Sequence, residues 1–204
     1  MTKLTVYLVD DHPAVCHGLR EMLSALGYEV ETFGSALQFL KVLDRLGPGC
    51  VVADVRMPGM DGLQLMHELS QRSIRLPVVL ISGHADVPMA VAAIKAGAED
   101  LIEKPINDIE LIAAINRCLA QASERLSVRQ STENLEQRFS KLTPREREIF
   151  DLVAEGHTSH AISIRLAISS RTVESLRVQI MEKMQAESIA ILVRQSIRLG
   201  RLKP

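Results

Sequence analysis

The stretch VVADVRMPGMDG at residues 51–62 joins a short β-branched run to an aspartate and a Pro-Gly turn. A continuous apolar run of this length is typical of a strand buried on both faces of a parallel sheet. A similar run lies at residues 78–81, and further short runs lie at residues 6–9, 30–33 and 100–103. Between these runs, apolar residues recur every three or four positions, as in amphipathic helices. The alternation predicts an α/β fold with a doubly wound, five-stranded parallel sheet.

A polar segment at residues 121–140 follows this first domain, which we assign to residues 1–120. The segment contains no glycine or proline, and Leu135, Phe139 and Leu142 follow one another at helical spacing. We therefore expect a partly helical linker, with a solvated, irregular linker as the alternative.

The remaining residues, 141–204, show helical patterns without a strand pattern and predict a small all-α domain. Thr143, Pro144 and Glu146 form a helix start, in which the threonine is the N-cap and the glutamate completes a capping box. Two further helices are separated only by residues 167–169, and a fourth follows them. So short a connection is typical of a helix-turn-helix.

Composition and charge exclude several protein classes. The 204 residues are 47% hydrophobic and 24% charged, as in ordinary globular proteins, and no apolar run is long enough for a membrane span. Three widely spaced cysteines without a CxxC pair argue against disulfide or zinc staples and predict a reducing cytoplasm. The N-terminus does not resemble a signal peptide.

Charge is distributed unevenly between the two predicted parts. Residues 1–140 hold 13 Lys and Arg against 18 Asp and Glu, and residues 141–204 hold 11 against 7. The basic C-terminal part suggests an anionic partner such as nucleic acid, although scattered surface charge also explains so small an excess.

Polar side chains follow four of the predicted strands at the point where each strand ends. They are Asp10 and Asp11 after the first strand, Asp54 after the third, Ser82 after the fourth and Lys104 after the fifth. In an open parallel sheet, ligands bind outside the carboxyl ends of the strands, so we expect these side chains to converge. Three carboxylates repel one another unless a cation lies between them, and oxygen ligands suit Mg²⁺.

Five sequence blocks now carry a family resemblance. VDD at residues 9–11, DVRMPGMDG at 54–62, SGH at 82–84 and KAGAEDLIEKP at 95–105 resemble the receiver domain of two-component response regulators. Together with ADVPMAV at 85–91, the last two blocks are most similar to the FixJ group.

The resemblance implies a flavodoxin-like receiver in which Asp54 accepts a phosphoryl group from a sensor histidine kinase. It also implies that Mg²⁺ is held by Asp11, Asp54 and the backbone carbonyl of Arg56, with Asp10 acting through a metal-bound water. Lys104 is then a fixed positive charge for the phosphoryl oxygens.

In this family, Ser82 moves toward the phosphoryl group and the fourth helix and fifth strand rearrange, which promotes homodimerisation. One residue departs from the pattern: Leu101 stands where receivers usually carry an aromatic switch partner, so we expect the coupling to be weaker or to be carried by burial alone. The candidate dimer face consists of Val87, Val91, Ile94 and Lys95.

Two C-terminal blocks, LTPREREIFDLVAEG at residues 142–156 and SRTVESLRVQIMEKM at 170–184, resemble a LuxR-type DNA-binding domain. The resemblance implies that the third helix of this domain enters the major groove of double-stranded DNA. Residues 157–161 lack the usual lysine, and Ala167 and Leu176 replace a usual glycine and a polar residue, so we expect weaker DNA affinity than is typical. The candidate DNA contacts are Arg171, Thr172, Glu174, Ser175, Arg177, Gln179 and Lys183.

These features predict a phosphorylation-dependent transcription regulator that binds promoter DNA and is not an enzyme. A signalling adaptor, whose helical domain binds protein instead of DNA, is the main alternative. A metal-dependent phosphatase is disfavoured, because Arg56 stands where a second catalytic carboxylate is needed.

Overall fold

The computed structural model describes residues 3–84 and 86–203. Ala85, with which the block at residues 85–91 begins, lies outside the described residues. Contacts between residues divide the chain into two compact units, Met1–Leu126 and Ser127–Pro204.

The first unit contains a parallel five-stranded sheet, as the sequence predicts. The strands are β1 (Thr5–Val9), β2 (Glu29–Phe33), β3 (Gly49–Asp54), β4 (Val78–Ser82) and β5 (Asp100–Glu103). Their order in the sheet is β2-β1-β3-β4-β5, with each pair of neighbours parallel. Strands β3 and β4 are buried along their whole length, because helices cover the sheet on both faces.

Five helices accompany this sheet, and alternate residues of its strands enter two separate core clusters. Val51 and Leu80 belong to one cluster, whereas Val52 and Ile81 belong to the other. This period-two division follows from the pleat of the strands. All three cysteines are free and buried. The helices are α1 (Pro13–Ala25), α2 (Ala36–Val42), α3 (Gly62–Gln71), α4 (Val87–Lys95) and α5 (Asp108–Ser140).

Helix α5 is longer than the partly helical linker that the sequence predicts, since it continues without interruption to Ser140. The absence of glycine and proline from residues 121–140 removes the usual helix breakers. Leu135 is buried and Phe139 packs partly buried in the core of the second unit. No helix in the described ranges is both long and apolar enough to cross a membrane.

The second unit contains four further helices around one small core. The predicted capping box is present: the Thr143 side chain accepts from the Glu146 amide, and the Glu146 side chain accepts from the Thr143 amide. Ala167, at the turn between the second and third of these helices, has a left-handed backbone with φ of 52°. The helices are α6 (Pro144–Ala154), α7 (Ser159–Leu166), α8 (Ser170–Met184) and α9 (Ile189–Arg198).

Candidate functional site

The carboxyl edge of the sheet holds a charged pocket built from three strand ends. Asp10 follows β1, Asp54 is the last residue of β3, and Lys104 follows β5. The two aspartates are each only 5% exposed. Burying two carboxylates in this way costs free energy unless positive charge or hydrogen bonds compensate them.

Lys104 supplies that compensation. Its Nζ lies 2.7 Å from Asp54 Oδ1 and 3.2 Å from Asp10 Oδ2. Burial by itself lowers the pKa of the Lys104 ammonium, but hydrogen bonds and charge attraction from Asp54 and Asp10 outweigh it and raise the pKa above its ordinary value. The lysine is therefore held in its charged form between the two carboxylates.

The second oxygen of Asp54 is held by the backbone of the loop that follows β3. The amide of Arg56 donates to Asp54 Oδ2 at 3.0 Å, while the Arg56 side chain points into solvent. Helix α3 begins directly against this strand end at Gly62, whose amide donates to Val55. A Cβ on Gly62 would lie 2.6 Å from the Asp54 carbonyl oxygen, so only glycine permits this close approach.

Asp10, Asp11 and His12 form a group whose ligand atoms all lie within 4.8 Å of one another. Asp11 Oδ1 is buried and receives no well-aligned hydrogen bond from any described residue, although His12 Nδ1 lies 3.1 Å away. A buried carboxylate oxygen without a donor is suited to a cation, and carboxylate oxygens are the ligands that Mg²⁺ prefers. The residues present therefore fit the metal ion that the sequence predicts.

Ser82 is completely buried at the end of β4, and its hydroxyl contacts two residues that follow it in the chain. The hydroxyl donates to the His84 carbonyl at 2.9 Å, and its oxygen lies 3.3 Å from Met89 Sδ. Because Met89 belongs to α4, this contact joins the strand end directly to that helix.

Helix α4 leaves apolar side chains exposed where the sequence predicts an interface. Val87 is 77% exposed, Val91 46% and Ile94 54%, and Lys95 is exposed as well. Of the residues on this helix, Ala93 is the one that is fully buried against the sheet. These four side chains are therefore largely accessible to solvent.

Helix α8 presents most of the predicted DNA contacts to solvent. Its buried side is formed by Val173, Ile180 and Met184. Arg177 is half-buried, and its guanidinium donates to the Ser159 hydroxyl of α7 at 2.8 Å. The exposed members of the predicted set are Arg171, Thr172, Glu174, Ser175, Gln179 and Lys183.

Lys183 is already occupied by a contact within the protein. Its Nζ lies 2.7 Å from both carboxylate oxygens of Glu146, which is 2% exposed. Burial by itself raises the pKa of Glu146, but hydrogen bonds from Lys183 and Thr143 outweigh it and lower the pKa. If Lys183 contacts DNA as predicted, it does so while also paired with this buried carboxylate.

Three residues with a place in these sites were missed by the sequence reasoning. His12 lies beside the carboxylates, and its position directly after Asp10 and Asp11 was the available signal. Met89 contacts Ser82, which no spacing rule predicts. Val178 is 60% exposed on α8, four residues after Glu174, and helical spacing placed it on the same face as the predicted contacts.

Two family models match the chain. The model described as the response regulator receiver domain matches residues 6–116, and the model described as bacterial regulatory proteins of the luxR family matches residues 140–196.

Similar proteins match both parts together. The transcriptional regulatory protein FixJ of Bradyrhizobium diazoefficiens is 38% identical over 201 residues, which cover 98% of each chain. The response regulator protein TodT of Pseudomonas putida strain F1 is 39% identical over 95% of this chain and 86% of its own. The solved structure of the response regulator StyR has a TM-score of 0.85 and 40% identity, covering 97% of this chain and all of its own. Full-length FixJ from B. japonicum has a TM-score of 0.59 and 38% identity over the whole of both chains.

Proposed function

This chain belongs to the FixJ-type response regulators, in which a receiver domain precedes a LuxR-family DNA-binding domain, and on that premise we propose that phosphorylation of Asp54 controls its binding to promoter DNA. The donor is the phosphohistidine of a sensor histidine kinase. The observation that carries the proposal is the position of Lys104, whose ammonium bridges the buried carboxylates of Asp54 and Asp10.

The chemistry at Asp54 is a phosphoryl transfer between two nucleophiles. The O–P bond to an Asp54 oxygen forms as the N–P bond to the kinase histidine breaks, and the histidine leaves with the electron pair of that bond. Both Asp54 oxygens are engaged in the unmodified protein, one by Lys104 and one by the Arg56 amide. Lys104 is 26% exposed along its side chain, so its ammonium has room to follow the negative charge onto the new phosphoryl oxygens.

Mg²⁺ is the cofactor that this transfer requires, because a carboxylate and an anionic phosphoryl group repel each other. A bound divalent ion supplies charge neutralisation and alignment of the attacking oxygen. Asp11, Asp54 and the Arg56 carbonyl would hold it, and Asp10 would act through a bound water. The buried Asp11 oxygen that lacks a hydrogen-bond donor supports this assignment.

Ser82 links the modified pocket to helix α4. To donate to a phosphoryl oxygen, its hydroxyl has to leave the His84 carbonyl and the Met89 sulfur. Met89 then loses a contact at the first turns of α4, so the helix that carries Val87 and Val91 can shift. We propose that these residues, with Ile94 and Lys95, form the contact of a homodimer that assembles on phosphorylation.

Dimerisation strengthens DNA binding because a tethered second domain has a high local concentration at its half-site. Helix α8 enters the major groove, where its exposed polar residues contact base edges and phosphates. A protein with this role works in the compartment of the DNA, so we also propose a cytoplasmic location, in agreement with the three free cysteines.

The test uses the full chain and DNA duplexes selected in vitro from a random pool. Wild type is compared with Asp54→Asn and with Asp44→Asn, a matched change at an exposed aspartate of the 3-10 helix Leu43–Arg45. Each is incubated with Mg²⁺ and acetyl phosphate and examined by intact mass, light scattering and gel shift.

We expect wild type and Asp44→Asn to gain one phosphoryl group, to dimerise and to bind DNA at least about tenfold more tightly. Asp54→Asn should gain no phosphoryl group, should not dimerise and should bind DNA no more tightly than before. Phosphorylation of Asp54→Asn at an unchanged level refutes the acceptor assignment. Equal DNA affinity of all proteins with and without acetyl phosphate refutes phosphorylation control.

A further inference from the structure

We propose that His12 adds an imidazole ligand to the metal ion of the acidic pocket, so that transition-metal ions such as Mn²⁺ bind there more tightly than the oxygen ligands alone would allow. The proposal rests on the metal assignment made above for Asp11 and Asp54. It goes further by assigning a nitrogen ligand to a pocket whose other predicted ligands are all oxygen atoms.

The distances around His12 match those between neighbouring ligands of one ion. His12 Nδ1 lies 3.2 Å from Asp10 Oδ1 and 3.1 Å from Asp11 Oδ1. Two ligands that are each about 2.1 Å from an octahedral ion, at right angles, are about 3.0 Å apart. The imidazole nitrogen and the Asp11 oxygen therefore already have nearly the separation that shared coordination requires.

The local backbone holds the imidazole in this position. His12 is the residue that precedes α1, but its side chain makes no capping hydrogen bond to that helix. Its backbone amide instead donates to Asp10 Oδ1 at 2.8 Å. This bond keeps the His12 backbone, and with it the imidazole, close to the Asp10 carboxylate. The side chain is 65% exposed, so water can reach the ring and solvate the Nε2–H that a metal-bound Nδ1 requires.

The oxygen of Asp11 supplies the second independent reason. Asp11 Oδ1 is buried and lacks a well-aligned donor, although the imidazole nitrogen is close. His12 Nδ1 forms a hydrogen bond with Asp10 Oδ1 at 3.2 Å, which leaves Asp11 Oδ1 without a donor. A cation bound between Nδ1 and Asp11 Oδ1 would satisfy that oxygen.

A nitrogen ligand raises the affinity for transition-metal ions. Mg²⁺ takes oxygen ligands and keeps several waters, whereas imidazole suits first-row transition-metal ions, of which Mn²⁺ is the most weakly bound. Loss of the imidazole should therefore weaken Mn²⁺ binding much more than Mg²⁺ binding.

The experiment titrates Mn²⁺ into the full chain, measures free Mn²⁺ by electron paramagnetic resonance, and obtains Mg²⁺ affinity by competition. Pulsed measurements on the bound Mn²⁺ detect a coordinated imidazole through its ¹⁴N modulation. His12→Ala is compared with His67→Ala, which removes an exposed histidine of α3, and with Asp54→Asn. The missing cap bond at His12 means that alanine there removes no helix cap.

We expect ¹⁴N modulation in wild type and His67→Ala and its loss in His12→Ala, with Mn²⁺ affinity falling about tenfold and Mg²⁺ affinity changing less than about twofold. Mn²⁺ that binds in the pocket without ¹⁴N modulation overturns the role of His12 as a ligand and leaves the metal assignment intact. Mn²⁺ and Mg²⁺ affinities that are unaffected by Asp54→Asn overturn the metal assignment as well.

Discussion

Replacing Lys183 by methionine removes the positive partner of a buried carboxylate in the DNA-binding domain. Glu146 is 2% exposed, and Lys183 Nζ donates to both of its oxygens at 2.7 Å. Methionine keeps the apolar length of the side chain, so the change acts mainly on charge. We expect the second unit to lose stability while the receiver domain is unaffected.

The magnitude follows from what remains around Glu146. Breaking a fully buried ion pair costs about 3–5 kcal/mol. Here the Lys183 side chain is 38% exposed, and the Thr143 amide still donates to the carboxylate at 2.8 Å, so water and the helix cap take over part of the solvation. We therefore expect the free energy of unfolding of the second unit to fall by about 2 kcal/mol. This loss corresponds to about a 30-fold increase in the fraction of molecules whose second unit is transiently unfolded.

Native-state hydrogen exchange of the full chain, followed by mass spectrometry, measures this loss locally. Amides of α6 and α8 should exchange about 30-fold faster in Lys183→Met, whereas those of β3 and β4 report on the receiver and should not change. Lys141→Met is the matched control, because Lys141 is exposed and has no ion pair among the described residues. A change in Lys183→Met no larger than that in Lys141→Met refutes the reasoning.

Acid provides an independent check of the same pair. The pKa of Glu146 is lower in the folded state than in the unfolded chain. The stabilisation is therefore complete above the unfolded pKa of about 4.3 and is lost as the pH falls through the folded value. The difference in melting temperature between wild type and Lys183→Met should shrink when calorimetry is repeated below pH 4, and an undiminished difference contradicts an ionic origin.

Three other substitutions follow from the structure. Ala167→Gly should stabilise the second unit by up to about 1 kcal/mol in calorimetry, because glycine adopts a φ of 52° without strain; a lower melting temperature contradicts this. Gly62→Ala should destabilise the receiver by about 1–3 kcal/mol in urea unfolding, since its Cβ meets the Asp54 carbonyl at 2.6 Å, and unchanged unfolding argues against that contact. Met89→Leu removes the sulfur that Ser82 contacts in the unmodified protein and should increase dimerisation without beryllofluoride, while phosphorylation by acetyl phosphate stays normal; unchanged dimerisation shows that Met89 does not couple the two.

Local sequence patterns predicted most of the fold. The β-branched runs at 51–53 and 78–81 lie in the two central strands, and the capping residues Thr143 and Glu146 begin α6 where their spacing places them. Such signals succeed because strand burial and helix capping depend on residues close together in the chain. The length of α5 was underestimated, because the polar composition of 121–140 resembled a linker although no residue there breaks a helix.

The sequence patterns by themselves determined the doubly wound α/β fold, the strand ends that bring Asp10, Asp54 and Lys104 to one edge, and the helix-turn-helix. These follow from hydrophobic periodicity and from the rule that parallel strands end at a common edge. Only the tertiary structure revealed the pairing of Lys183 with Glu146 and the contact of Ser82 with Met89. Such contacts depend on side-chain directions and burial across elements that are distant in sequence, and no local pattern encodes them.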